Sequence, residues 1–189
     1  MTAKIPLPGA KKMLDDQGFD TFETNPYPLA YLLTFRTFGT WLHGDPRGSH
    51  GRFRDPRNNS KYIEPHSGLH TEMLDELKQS PVRLSRDQRL VVQSTIREVV
   101  RFRGYSLKAE NVRTNHAHLV IGAAVNPNKI VNELKSYSTR RLREKGLAET
   151  GEKIWARGAS TRYLWKPRHV DAAVDYVLYC QEDIPFEFR

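Results

Sequence analysis

The stretch that decides the fold is residues 105–123, YSLKAENVRTNHAHLVIGA. Residues 105–112 and 116–123 each have the length and the apolar content of a β-strand. Only Arg113, Thr114 and Asn115 separate the two runs. A connection this short joins antiparallel neighbours, so the stretch predicts a β-hairpin.

Helical periodicity flanks this hairpin on both sides. Residues 85–102 carry apolar side chains at helical spacing, and Ser85 is suited to cap the N-terminus of that helix. After the hairpin, Asn126 and Pro127 open a second helix that reaches Glu144. The hairpin is therefore predicted to lie between two helices.

Two further strands and a last helix complete the domain. Residues 30–38, AYLLTFRTF, favour a strand, residues 154–165 contain another, and residues 170–181 favour a helix. The order is then β-α-β-β-α-β-α with an antiparallel central hairpin. This order predicts an α+β, ferredoxin-like βαββαβ(α) fold, with a four-stranded antiparallel sheet and helices on one face.

The remaining segments are less regular. Residues 1–28 are predicted to be an irregular N-terminal arm with one short helical turn at residues 11–17, and residues 29–189 a single domain. An insertion at residues 41–80 follows the first strand. Its first part, residues 41–68, is rich in Gly and Pro and has five Lys/Arg against three Asp/Glu. A basic insertion of this length is either functional or disordered.

The composition favours an anionic partner. The 189 residues contain 30 Lys and Arg against 22 Asp and Glu, a net charge of +8. Residues 134–169 hold ten Lys or Arg and three Glu, so +7 is concentrated there, with four Tyr or Trp interleaved. A focused basic band with aromatic side chains is typical of nucleic-acid binding, although core aromatics beside a solvated helix would look similar. The predicted DNA-binding side chains are Lys135, Arg140, Arg141, Arg143, Arg157, Arg162 and Lys166, with Arg47, Arg52 and Arg54 from the insertion.

Several other classes are disfavoured. The single cysteine, Cys180, excludes an intramolecular disulfide framework. No stretch approaches the roughly 18 apolar residues that a membrane span needs. The first residues lack an apolar signal region, so a cytoplasmic protein is expected.

The sharpest chemical feature is the pair His116 and His118. Residues two apart on a strand point to the same face, so two imidazoles would project together and could share one metal ion. The apolar run LVIG that follows places them at the end of a buried strand. Two histidines need a third ligand and open positions, which indicates a catalytic rather than a structural site. The alternative is two histidines with ordinary hydrogen bonds at a sheet edge.

The last predicted helix carries Tyr176, Tyr179 and Gln181. A tyrosine hydroxyl becomes a covalent nucleophile when a base, a metal or a positive field activates it. Core packing is the alternative for aromatic residues on a short helix.

Together these elements resemble the single-tyrosine transposases of the HUH superfamily, the insertion-sequence 200/605 type, and among them the REP-associated tyrosine transposases. The resemblance rests on four motifs in this order: NHAHLVI at residues 115–121, ELK followed by STR at 133–140, WA at 155–156, and YV at 176–177 with Gln181. The stretch TFGTWLHGD at residues 37–45 also looks like the hallmark of one subgroup.

The resemblance implies a specific chemistry. It implies binding to single-stranded or hairpin DNA and one divalent metal ion, Mg or Mn, held by His116, His118 and Gln181. It implies Tyr176 as the nucleophile that forms a 5′-phosphotyrosine, and it is compatible with a homodimer. Tyr176 lies five residues before Gln181, where the family usually has four, so Tyr179 paired with Asp183 is an alternative.

The predicted function is therefore a metal-dependent DNA nickase and strand transferase of the transposase type. The alternative is a domesticated DNA- or RNA-binding module of the same fold that does not cleave. A two-histidine phosphoesterase is disfavoured because it requires Ser or Thr two residues after each histidine, where this chain has His118.

Overall fold

A computed structural model describes residues 12–14, 20–22, 27–50 and 62–180. Eight strands and four helices lie in this part of the chain. The strands are β1 (Lys12–Leu14), β2 (Asp20–Phe22), β3 (Ala30–Arg36), β4 (Ser49–His50), β5 (Tyr62–Ile63), β6 (Ser106–Val112), β7 (His116–Gly122) and β8 (Ser160–Leu164). The helices are α1 (Ser67–Asp75), α2 (Arg86–Arg103), α3 (Pro127–Glu144) and α4 (Pro167–Tyr179).

The central sheet is built around the predicted hairpin. Its strand order is β6-β7-β3-β8, and every neighbouring pair is antiparallel. The tight turn between β6 and β7 is closed by the Arg113 N–H, which donates to the His116 carbonyl at 2.7 Å. Helices α2 and α3 make the two crossovers, β3 to β6 and β7 to β8. This topology confirms the predicted α+β, ferredoxin-like fold class.

The long helices begin and end where local sequence signals place them. Ser85 accepts a hydrogen bond from the backbone N–H of Gln88, whose side chain accepts one from the Ser85 N–H, so a capping box starts α2. Gly104, at φ +67°, ends α2 in the left-handed conformation that glycine adopts without strain. The Asn126 side chain caps α3.

The sheet has a large and a small apolar face. Tyr31, Leu33 and Phe35 of β3 point to the face covered by α2 and α3, where the main core lies. Ala30 points to the opposite face and packs on α4. Helices α2 and α3 therefore share one face, as predicted, whereas the prediction of helices on one face was wrong for α4, which packs on the opposite face.

Helix α4 covers the other face of the sheet. Its apolar side chains Val170, Ala173 and Val177 lie at helical spacing and pack on this face. The Asn111 side-chain amide of β6 donates to the Val177 carbonyl at 3.0 Å. The sheet is thus enclosed between two helical layers, and α4 brings its side chains to the face that α2 and α3 leave open.

One expectation for the N-terminal arm was wrong. The helical turn predicted at residues 11–17 is replaced by β1, which pairs antiparallel with β2. Short isolated helices are marginal, whereas strand pairing satisfies the backbone hydrogen bonds directly.

The described part of the segment predicted as an insertion, residues 41–80, contains regular structure. Strands β4 and β5 pair, and α1 begins after His66, whose ring accepts a hydrogen bond from the Leu69 N–H. Helix α1 buries none of its residues, so it has no apolar stripe for a sequence to show.

None of the helices in the described ranges is both long and apolar enough to cross a membrane.

Candidate functional site

The two histidines lie together at the start of β7. Strand alternation turns His116 and His118 to the α4 face, and their ring centroids are 4.5 Å apart at an interplanar angle of 77°. On the neighbouring strand β3, Arg36 pairs in register with His116 and Thr34 with His118. The histidines are therefore at the middle of the sheet, flanked by two polar residues of the other central strand.

Hydrogen bonds fix the two imidazole rings. His116 Nδ1 lies 2.7 Å from Asn115 Oδ1, an oxygen that can only accept, so Nδ1 carries the proton and Nε2 the lone pair. His116 Nε2 is buried and has no hydrogen-bond partner. His118 Nδ1 lies 2.7 Å from the Thr34 hydroxyl. One ring nitrogen is thus used for positioning, as in metal sites, where the other nitrogen binds the ion.

Both rings are neutral near pH 7. Burial lowers the pKa of His116 to about 3, with further contributions from His118, Arg113 and Arg36. Burial also lowers the pKa of His118 to about 4, again helped by Arg36 and Arg113. Neutral imidazole is the form that binds metals.

The donor set fits part of a metal site. The unpartnered, buried His116 Nε2 is unusual for an ordinary core histidine, because buried polar atoms are nearly always hydrogen-bonded. Within the described ranges, no group of three His, Cys, Asp or Glu side chains could hold an ion. Gln181, the predicted third ligand, lies outside the described residues, as does Asp183.

Tyr176 is the tyrosine beside the histidines. Its ring meets the His118 ring edge to face, with centroids 5.6 Å apart at 80°, and 41% of the residue is exposed. Tyr179 is the last residue of α4, is 71% exposed, and does not line the cavity at the histidines. The structure therefore places Tyr176, rather than Tyr179, next to the candidate metal ligands.

A groove runs between α4 and the sheet at this point. This tyrosine groove, of about 510 Å³, is lined by Thr34 and His118 from the central strands, Arg162 from β8, and His169 and Tyr176 from α4. The small Ala172 and Ala173 keep it open on the helix side. The Tyr176 side chain, the His118 and His169 rings and the Arg162 side chain thus line one space.

A second cavity continues the groove along the sheet. This Trp41 pocket, of about 610 Å³, shares Thr34 and Ser160 with the tyrosine groove. Its further walls include Arg36, Trp41, Arg47, Tyr62 and Arg157. Part of the insertion therefore lies against the same sheet face as the histidines.

The predicted DNA-binding residues divide into two groups. Arg162 lines the tyrosine groove, Arg47 and Arg157 line the Trp41 pocket, and Lys166 is the N-cap residue of α4. These four lie on or beside the histidine face. Arg52 and Arg54 are outside the described residues.

The predicted residues on α3 are on the opposite layer and have protein partners. Arg141 pairs with Glu98 at 2.7 Å and with Glu144 at 3.0 Å. Lys135 donates to the Ala156 and Gly158 carbonyls, and burial lowers its pKa.

The other two α3 arginines are also engaged. Arg143 donates to the carbonyls of Glu149 and Glu152, and Arg140 stacks on Tyr137 and pairs with Glu144 at 3.5 Å. The four predicted DNA-binding residues of α3 therefore do not lie near the histidines.

Sequence reasoning missed the residues that support the histidines. Thr34 and Arg36 are polar positions two apart in β3, whose other residues are apolar or aromatic, and this is the same spacing as in the His pair. This spacing could have identified them, because polar side chains on one face of a buried strand are costly unless they have partners or a function. Asn115, which orients His116, was part of the family motif but had no predicted role.

The fold and the site define a ferredoxin-like domain with paired histidines and an adjacent tyrosine. The family described as IS200-like transposases matches residues 77–177, more than half of the chain, and the chain belongs to this family. No curated protein matches it in sequence.

Two solved structures are similar to the chain. One is a REP-associated tyrosine transposase bound to a REP hairpin, with 14% identity and a TM-score of 0.46, covering 80% of this chain and 66% of that one. The other is a protein assigned as a transposase from Deinococcus radiodurans R1, with 17% identity and a TM-score of 0.40, covering 77% of this chain and 86% of that one. This chain thus spans just under two thirds of the first structure.

Proposed function

We propose that the chain nicks and rejoins single-stranded or hairpin DNA with one divalent metal ion and a 5′-phosphotyrosine intermediate on Tyr176. The observation that carries this proposal is the buried, unpartnered His116 Nε2, with Tyr176 in edge contact with the neighbouring His118. Membership of the IS200-like transposase family supports the same chemistry.

His116 and His118 would hold the ion, Mg or Mn, with Gln181 as a third ligand. When bound, the ion would polarise a scissile phosphate and neutralise charge that develops on it. Asn115 and Thr34 would keep the two lone pairs aimed at the ion, since each binds the opposite nitrogen of its ring.

Tyr176 would supply the nucleophile. Attack by its oxygen forms the Tyr176 O–P bond and breaks the P–O3′ bond, so the 3′ oxygen leaves and takes up a proton from solvent as the phenol proton is released. The bond energy is retained in the phosphodiester, and the reverse reaction on another 3′-hydroxyl joins strands. Arg162, which lines the same groove, would contact a non-bridging phosphate oxygen.

Further features fit a single-stranded DNA substrate. The net charge of +8 favours a polyanion, and Arg162, Arg157 and Arg47 line the groove and pocket. Tyr163 and Trp165 stack at 6.4 Å and 14°, and both are about half exposed. Such a pair offers a surface on which an unpaired base can stack, and because Tyr163 contacts Tyr31 this surface lies on the α2 and α3 side of the sheet, opposite the groove.

The test is a covalent-adduct assay. Labelled hairpins with randomised single-stranded flanks are incubated with the protein and Mn²⁺ and separated on a denaturing gel. We expect a protein–DNA adduct that Tyr176→Phe abolishes and the matched control Tyr179→Phe keeps. Calorimetry should show that His116→Ala loses Mn²⁺ binding.

The possible outcomes separate the candidates. An adduct that persists in Tyr176→Phe and disappears in Tyr179→Phe would contradict the assignment of the nucleophile. Tight hairpin binding with no adduct from the unaltered protein would favour the non-cleaving module instead.

A further inference from the structure

The Trp41 pocket is not used by the histidine and tyrosine chemistry. It lies beside the tyrosine groove, and the two share Thr34 and Ser160. The segment TFGTWLHGD, residues 37–45, supplies Trp41 to its wall and Asp45 to hold Arg47. This segment therefore forms part of the pocket wall and positions one of its arginines.

Trp41 forms a rigid plate between two guanidinium groups. The Cζ atoms of Arg36 and Arg47 lie 3.4 Å and 4.1 Å from the centroid of its ring. Two such groups this close to one centroid would overlap on the same face, so they cover opposite faces. The Trp41 indole N–H donates to the Gly48 carbonyl at 2.6 Å, which fixes the ring in its plane. With both faces covered, Trp41 cannot stack on a nucleobase.

The arginines of the pocket differ in how their charge is balanced. Arg47 donates from Nε and Nη2 to the two oxygens of Asp45, at 2.7 Å and 2.6 Å. The guanidinium of Arg36 has no hydrogen bond or ion pair with any residue of the described ranges, although it is half-buried. Arg157, exposed at the mouth, has none there either. Asp45 stabilises the Arg36 charge only through space, so this half-buried guanidinium keeps its hydrogen-bond donors for an external anion.

The location of Arg36 indicates which class of anion the pocket binds. It is the register partner of His116, and cross-strand partners on one face have Cβ atoms about 5 Å apart. A single-stranded DNA with one phosphate at the histidines would pass Thr34 and reach Arg36 within a nucleotide or two. Planar guanidinium groups match phosphate oxygens in a bidentate manner.

We propose that the Trp41 pocket binds one backbone phosphodiester of a single-stranded DNA. This phosphodiester neighbours the phosphodiester that lies at the histidines, and Arg36 and Arg157 contact it. The proposal rests on the proposed function, because it assumes that the same strand occupies the tyrosine groove. Trp41 stacks on Arg36 and holds it in position, Arg47 stacks on the same indole ring, and the pocket contacts the backbone rather than the bases.

The test measures binding without cleavage. The probe is fluorescein-labelled dT12, whose anisotropy is followed with the full chain in EDTA from 50 to 300 mM KCl. We expect Arg36→Met and Arg157→Met each to weaken binding by about 5- to 10-fold at the low-salt end. Each should also reduce the slope of log K against log[KCl] by about 0.7, the value for one phosphate contact on a single strand.

The control is Arg101→Met, an exposed arginine in the last turn of α2 on the opposite layer, which removes the same charge. It should leave both the affinity and the slope close to those of the unaltered protein. Equal losses of dT12 affinity in all three variants would mean that only the net charge of the protein matters. This result would contradict the proposed phosphate site.

The remaining outcomes separate this proposal from the proposed function. Suppose that the unaltered protein binds dT12 normally and that both pocket variants keep the same salt slope. This result would contradict the proposed phosphate site but not the proposed function. Absence of dT12 binding by the unaltered protein would overturn single-strand binding and the pocket with it. If Arg36→Met fails to fold, the exposed Arg157→Met still decides the question.

Discussion

Replacing Asp45 with Asn should release the clamp on Arg47 while keeping the shape of the side chain. Asp45 is only 5% exposed and accepts hydrogen bonds from the Arg47 backbone N–H, Nε and Nη2. An asparagine has one oxygen to accept with and no charge. The guanidinium that covers one face of Trp41 would then lose the carboxylate that binds it.

The size of the effect follows from the pKa of Asp45. The side-chain hydrogen bonds from Arg47 lower this pKa from 3.8 to about 2, against the opposing effect of burial. This lowering of the pKa corresponds to roughly 2 kcal/mol before solvent screening. The Arg47 side chain is 49% exposed, so solvent screens part of the interaction and we expect a loss of about 1–2 kcal/mol in the free energy of unfolding.

The pH dependence gives the loss a signature. The folded pKa of Asp45 lies below its ordinary value, so its contribution is complete well above pH 4 and is lost as the pH falls through 2. In urea unfolding, the difference between the unaltered protein and Asp45→Asn should fall to about half by pH 3 relative to pH 7. The matched control is Asp75→Asn, an exposed aspartate at the end of α1, which should change stability by less than about 0.5 kcal/mol.

Two results would refute the reasoning. A difference that stays constant from pH 7 to pH 3 would show that the substitution acts through packing and not through the charge. An Asp45→Asn variant as stable as the unaltered protein at pH 7 would show that the Asp45–Arg47 pair is fully screened by solvent.

Three further substitutions probe other parts of the structure. Thr34→Val removes the hydroxyl that positions His118 and should weaken Mn²⁺ binding by about 10-fold in calorimetry; unchanged affinity would argue against this orienting role. Ser85→Ala removes the N-cap of α2 and should cost about 1 kcal/mol in urea unfolding, and a neutral result would contradict the capping argument. Gly48→Ala should lower the melting temperature, because a side chain at φ +72° is strained by about 1–2 kcal/mol and its Cβ would clash with the Tyr62 ring; an unchanged melting temperature would count against this packing.

The features that the sequence predicts well are local ones. Helices α2 and α3 have caps and an apolar stripe within their own residues, and the hairpin of β6 and β7 has a short turn. The shared face of His116 and His118 follows from the two-residue period of a strand. Each of these signals lies within a stretch of fewer than 20 residues.

The rest depends on contacts between distant segments. The register that sets Arg36 beside His116 joins strands 80 residues apart, and no local pattern encodes it. The stripe of Val170, Ala173 and Val177 shows that α4 is amphipathic but does not say which sheet face it covers. Charge counting along the chain could not show that the arginines of α3 face away from the histidines.

The unequal packing of the two sheet faces has a consequence for motion. The α2 and α3 face buries Tyr31, Phe35 and several Leu and Ile side chains, whereas the α4 face is built mainly from Ala and Val. Because apolar stabilisation scales with the buried area, α4 is the more weakly anchored long helix. We expect its amides to exchange with deuterium sooner than those of α3. Tyr176 therefore lies on the long helix that we expect to open first, and local unfolding of α4 would widen the groove while the sheet that carries the histidines stays intact.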